Sequence, residues 1–177
     1  PIGSRGLGDV YKRQVKKTPN KLNQDSPLIS IVTIALNAEK NIQRTIDSVF
    51  NQTYKNIEYI LIDGESTDGT LSAVEQNIDK IDIFLSEKDS GIYDAMNKGI
   101  DLASGDWINF MNAGDTFSNI NVIKEISFID LASSPIIYGN KIYEDVVQIP
   151  HPCKSLKFGE IMACHQAMFF NMSPNFK

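Results

Sequence analysis

The chain has 177 residues, of which 42% are hydrophobic and 22% charged, with a formal net charge of −5 and a pI of about 5.0. That length holds one domain with a sizeable core, and an acidic balance without a Lys/Arg stripe argues against a nucleic-acid-binding surface. No apolar run approaches the ~20 residues that span a bilayer. Cys153 and Cys164 have neither disulfide-framework nor zinc spacing, so reduced thiols and a cytoplasmic setting are expected.

In chain order, "PIGSRGLGDVYKRQ" (Pro1–Gln14) resembles translated adapter sequence and is set aside as non-native. A polar segment without periodicity follows, so residues 1–26 are expected to be a disordered lead-in, and one domain is expected over 27–177. "LISIVTIAL" is a continuous β-branched run, which predicts a strand buried on both faces. Next comes a helix with Asn37 as its N-cap and Ile42, Ile46, Val49 and Phe50 at helical spacing. "NIEYILID" is the second strand. "STDGTLSAVEQNI" is the second helix, capped by Ser66 or Asp68, with Leu71, Val74 and Ile78 inward. "IDIFLS" gives a third strand, and "GIYDAMNKGIDLASG" a third helix with Ile92, Met96, Gly99, Ile100 and Ala103 on one side and Gly105 as its stop. "DWINFMN" is the fourth strand and "NINVIKEISFIDLA" the fourth helix. "PIIYGNKIYEDVVQI" then predicts two strands around a Gly-Asn turn. The chain stops shortly after an apolar run in "HQAMFFNMSPNFK", so a domain continuing past Lys177 is expected, with its C-terminal part missing.

Strands and helices alternating at this spacing predict an α/β fold, a doubly wound and mostly parallel sheet with helices on both faces. Such sheets bind ligands beyond the carboxyl ends of their strands. Polar groups collect there: Asn37 and Glu39 after the first strand, Asp63 and Glu65 after the second, Glu87, Lys88 and Asp89 after the third, Asn112 and Asp115 after the fourth. Polar loops that only cap helices account for Asn37 and Asp68. They do not account for Asp63 and Asp115, which are read as functional. Dinucleotide, P-loop and hydrolase-elbow motifs are absent, as is any zinc spacing. What remains is a carboxylate-rich rim suited to Mg²⁺ or Mn²⁺ shared with the phosphates of a nucleoside diphosphate. Lys88, flanked by Asp89 and Asp94, either touches that diphosphate or solvates its loop.

Three stretches, "ISIVTIALNAEKNIQRTIDSVFNQTYKNIEYILIDGESTDGT", "SEKDSGIYDAMNKGI" and "GDWINFMNAGD", resemble the family 2 glycosyltransferases of GT-A fold, in a bacterial, polysaccharide-type subgroup. The resemblance implies an inverting, metal-dependent transfer of a sugar from a nucleotide-diphosphate donor, a UDP-sugar, to a glycan or lipid-linked acceptor. It also implies peripheral association with the inner face of a membrane. It puts Thr33, Ala35 and Glu39 beside the nucleotide and gives Asp63 the role of base-reading aspartate. "GIYDAMNKG" is similar to the family's G-x-x-x-A-R-N-x-G, which adds Asp94 and Asn97 to the nucleotide side, with Met96 in place of the arginine. "NAGD" is similar to the D-x-D-type metal motif, with Asn112 for the leading aspartate and Asp115 retained as metal ligand. His165 and Gln166 match positions on the donor and acceptor side, although His165 reads equally as a histidine at a strand start. The family's catalytic base is expected beyond Lys177, so the alternative is a nucleotide-sugar-binding module without catalysis.

Overall fold

The computed structural model describes residues 26–127, 135–150 and 165–172. All but the last residue of the lead-in expected over 1–26, both cysteines and the end of the expected fourth helix beyond Ser127 lie outside them. The elements are β1 (Ile29–Ala35), α1 (Ile42–Phe50), β2 (Ile57–Asp63), α2 (Thr70–Glu75), β3 (Ile83–Ser86), α3 (Ile92–Leu102), β4 (Trp107–Asn112), α4 (Val122–Ser127), β5 (Ile136–Tyr138), β6 (Lys141–Tyr143), β7 (Val146–Gln148) and β8 (Met168–Asn171). Short 3-10 turns occupy Ile78–Lys80 and His165–Ala167.

One sheet has the order β3-β2-β1-β4-β8-β5. β1 to β4 are mutually parallel, while β8 pairs antiparallel with both β4 and β5. All seven residues of β1 are buried, as the unbroken apolar run predicts. Side chains alternate between the two faces. Ile29, Ile31 and Ala35 join Trp107, Met111 and the stripe Ile42, Ile46 and Val49 of α1, with Val74 of α2 and Ile123 of α4. Val32 and Ile34 face the other layer, with Ile108, Phe110 and Ala95 of α3. Helices therefore cover both faces, and no helix among the described residues is long and apolar enough to cross a membrane.

Several local expectations are corrected. In α3, Gly99 is buried as expected and Ala95 joins it, whereas Ile92 and Ile100 are 43% and 39% exposed. Phe50 of α1 likewise points out, and the buried stripe takes Thr45 instead. Asn37 is no helix cap: it holds a left-handed φ of 50°, and its Oδ1 accepts the Thr67 N–H at 2.9 Å. The hairpin turn falls at Glu144 and Asp145, with φ of 48° and 62°, and not at Gly-Asn. Ile136–Tyr138 becomes the sheet edge beside β8 because that neighbour supplies its ladder.

Gly105 is a point of close approach, not a helix stop; α3 has already ended at Leu102. Its N–H donates to Ser30 Oγ at 2.9 Å, and an added Cβ would lie 2.7 Å from Ser30 N and 2.8 Å from the Leu28 carbonyl. Ser30 in turn donates to the buried Glu58 carboxylate at 2.6 Å, which also receives the Ser104 N–H at 2.8 Å. Gly105→Ala is therefore expected to lower stability by about 1–3 kcal/mol, since backbone cannot yield as a side-chain tip does. A thermal melt checks it.

Candidate functional site

Strand order reverses between β1 and β4, so the crevice for a ligand opens at their carboxyl ends. In register, Asp63 lies opposite Ala35 on one side of β1 and Asn112 opposite Ile34 on the other. Two inter-strand spacings separate the flanking strands by about 10 Å. The Asp63 loop and the Asp115 turn thus straddle the end of β1.

On the β2 side, Asp63 is 0% exposed. Its carboxylate accepts the Ser66 N–H at 3.0 Å, the Ser66 hydroxyl at 2.5 Å and the Ser86 hydroxyl at 2.7 Å. The sequence offers Ser66 as a helix cap; here it closes the loop onto the strand end. The β1 loop is clasped to the β2 loop as well: Asn37 N–H donates to Ser66 Oγ at 2.8 Å, Ala38 N–H to Thr70 Oγ1 at 2.7 Å, and Glu39 N–H to Asp68 Oδ2 at 3.1 Å. Hydrogen bonds from the Thr70 side chain hold the Asp68 carboxyl below its ordinary range. Its share in the clasp is therefore kept at neutral pH and lost as pH falls through that lowered value.

The third loop abuts the second. Glu87 N–H donates to the Asp63 carbonyl at 3.0 Å. Lys98 gathers this segment: its ammonium lies 3.0 Å from Glu87 and 3.7 Å from Asp94, and donates to the Lys88 carbonyl at 2.8 Å. Lys88 and Asn97 are exposed, and Asp94 accepts the Ser90 N–H at 2.9 Å. Thr33 and Ala35 stand apart from this group. Both point into the α1/α2 layer, where Tyr59 donates to Thr33 Oγ1 at 3.1 Å, so neither offers its side chain to the rim. Burial also raises the Tyr59 phenol above its ordinary range.

On the β4 side the chain turns through Asn112–Asp115, with Asp115 N–H donating to the Asn112 carbonyl at 2.9 Å. Gly114 has a φ of 109°, in the region that disfavours a Cβ, and an added Cβ would lie 3.5 Å from the Arg44 guanidinium. Asp115 is half-buried, and its Oδ2 accepts Gln166 Nε2 at 3.0 Å. Antiparallel β8 makes that meeting, because it delivers His165–Ala167 to the end of β4. Asn109 secures the join, donating to the Gln166 carbonyl at 3.1 Å and the Met168 carbonyl at 2.8 Å. The His165 side chain lies outside the described residues. No group of three or more His, Cys, Asp or Glu gathers for a metal among the described residues. The donors suit a cation held by one carboxylate and completed by phosphate and water, not a protein-only cage. Thr45 and Ser86 are the rim-supporting residues that sequence reasoning missed. Thr45 alone carried a signal, a hydroxyl inside an apolar stripe.

The parallel sheet, its reversal at β1 and β4 and the polar rim define an α/β fold of the GT-A, nucleotide-diphospho-sugar transferase type. A mannosyltransferase of Pyrobaculum calidifontis, solved with GDP-Man and Mn²⁺, superposes with a TM-score of 0.64 at 16% identity over 84% of this chain and 45% of that one. TarS of S. aureus, solved with UDP-GlcNAc, gives 0.60 at 24% identity over 70% and 37%. At those identities the likeness is one of fold. Residues 30–145 match glycosyl transferase family 2, and the chain belongs to that family. An uncharacterised glycosyltransferase of Mycobacterium tuberculosis is 35% identical over 157 residues, 84% of this chain and 60% of that protein. A PGL/p-HBAD biosynthesis glycosyltransferase of Mycobacterium bovis is 30% identical over 82% and 59%. The chain thus spans about 60% of the length of the curated relatives it matches.

Proposed function

We propose that the chain carries the donor half of a glycosyltransferase site, which binds a nucleotide-diphosphate sugar, preferably a UDP-sugar, for inverting transfer to a glycan or lipid-linked acceptor. The observation that carries this reading is the straddling of β1 by a base-side loop and a carboxylate turn at the switch point. Asp115, with Asn112 beside it, is the residue to hold Mg²⁺ or Mn²⁺, whose chemistry there is to neutralise charge on the departing diphosphate. Glu39, Lys88, Asp94 and Asn97 line the nucleotide side, and Thr33 and Ala35 support it from beneath. Gln166 orients Asp115, and His165 lies on the acceptor side. Peripheral attachment to a membrane follows if the acceptor is lipid-linked. The TarS and mannosyltransferase complexes support a sugar nucleotide as ligand class, and that with GDP-Man and Mn²⁺ supports the cation.

Asp63 reads the base in this proposal by accepting the uracil imide N–H, which requires Ser66 to yield a carboxylate oxygen. The test is calorimetric titration with UDP and with ADP, each with Mn²⁺. UDP is expected to bind at least about tenfold tighter, the scale of one hydrogen bond to a charged group. Equal affinities would end the base-reading assignment. One observation favours a second reading, a binding module without transfer: Asn112 brings an amide where a second carboxylate would strengthen the cation site. UDP binding without release of UDP from any UDP-sugar, in a chain extended to its relatives' full length, would decide for it.

A further inference from the structure

The Asp115 turn has a backbone held from the side by one helix. Thr45 is 0% exposed and lies in the apolar stripe of α1 between Ile42 and Val49. A helical threonine commonly bonds a carbonyl of its own preceding turn. This one crosses to the loop after β4, where its Oγ1 accepts the Gly114 N–H at 2.8 Å and donates its proton to the Asp115 carbonyl at 2.8 Å. A hydroxyl has one proton to give, so its donor is fully used. Both peptide groups next to the Asp115 Cα are then fixed: its N–H by the Asn112 carbonyl, its carbonyl by Thr45.

The seam continues at Ser48 on the same helix and at Gln52 just past its end. Ser48 Oγ accepts the Phe117 N–H at 2.8 Å, and Gln52 donates to the Asn119 carbonyl at 2.9 Å. These later contacts hold the segment without touching the Asp115 peptide groups, so they serve as internal controls for Thr45.

We propose that Thr45 is a positioning residue for the cation carboxylate: its hydroxyl sets the direction in which Asp115 leaves the backbone, and Gln166 sets the rotation of the carboxylate. The proposal rests on the reading of Asp115 as cation ligand. A ligand whose support is removed typically loses about tenfold or more in metal affinity. Support by a neutral hydroxyl also leaves the charge of the site unchanged, so the effect falls on geometry alone.

The experiment counts free Mn²⁺ by electron paramagnetic resonance, with and without UDP, alongside thermal melts. Thr45→Val keeps the shape and loses the hydroxyl; it is expected to weaken Mn²⁺ affinity in the presence of UDP by about tenfold. Thr45→Ser keeps the hydroxyl and should stay within about twofold of the parent. Ser48→Ala should lower the melting temperature with Mn²⁺ affinity unchanged. If Thr45→Val fails to fold, Thr45→Cys, of similar volume and a weaker donor, should show an intermediate loss. Parental Mn²⁺ affinity in the valine or cysteine variant, or an equal loss in Ser48→Ala, would overturn the positioning role. Asp115→Ala separates the two readings. If it keeps Mn²⁺ affinity, the cation site falls and positioning with it; if it alone loses affinity, only positioning falls.

Discussion

Asp115→Ala is expected to remove Mn²⁺-dependent UDP binding while the protein still melts cooperatively near the parental temperature. The backbone of the turn does not depend on the side chain, because Thr45 and Asn112 hold its peptide groups. What the carboxylate gives the fold is the hydrogen bond from Gln166, worth about 1 kcal/mol at a half-buried position. Its expected contribution to ligand binding is larger, about 3 kcal/mol or roughly a hundredfold in affinity, since no second carboxylate accompanies it in the turn. Asn112→Asp should shift affinity the other way by adding charge where the cation sits. Titration of UDP at several Mn²⁺ concentrations, with melts in parallel, separates these outcomes. An Asp115→Ala variant that binds as the parent does would make the turn a structural device.

For Asp63→Ala the expected loss is in the fold first. Its carboxylate is buried, and it is the acceptor for a backbone N–H and two serine hydroxyls. Truncation leaves those donors facing an apolar gap, a loss of about 3 kcal/mol, or about 6–12 °C in melting temperature for a domain of this size. The Ser66 loop also bonds to Asn37, so the nucleotide side of the crevice loosens with it, and UDP affinity should fall together with stability. Ser86→Ala separates the roles: it removes one of the three donors to Asp63 and leaves the Ser66–Asn37 contact in place, so it should destabilise less and leave UDP binding intact. A melt of Asp63→Ala matching the parent would show that the bonds around this carboxylate hold nothing.

The strands were legible because burial on both faces demands a mostly apolar run, and β1, β2 and β4 each have one around the buried polar residues Ser30, Thr33, Glu58 and Asn109. The helices were legible as elements, yet their faces were misread wherever a small residue won the inner position. Ala95 sits against the sheet beside Gly99, which was expected there, because the layer is close, and Ile92 and Ile100 are left outside. Sequence periodicity ranks residues by hydrophobicity and is blind to that distance. Asp63 and Asp115 stood out as carboxylates at strand ends, but their surroundings did not. Ser86, which bonds Asp63, and Gln166, which meets Asp115, lie 23 and 51 residues away in the chain, and nothing local announces such partners. Gly105 was mistaken for a helix stop because a glycine needed for close packing looks the same in sequence as one needed for a turn.

The placement of β8 between β4 and β5 governs the order in which the site can be assembled during synthesis. β1 to β4 and their helices lie consecutively in the chain, so they can close on one another while the rest is still being made. β5 has no ladder partner among the described residues except β8, which is made some thirty residues later, so that edge must wait. Asp115 and its Thr45 support belong to the early part, whereas Gln166 arrives with the late strand. A nascent chain therefore holds the carboxylate turn before it holds the amide that meets it, and the β8–β5 edge acquires its native shape only after β1 to β4.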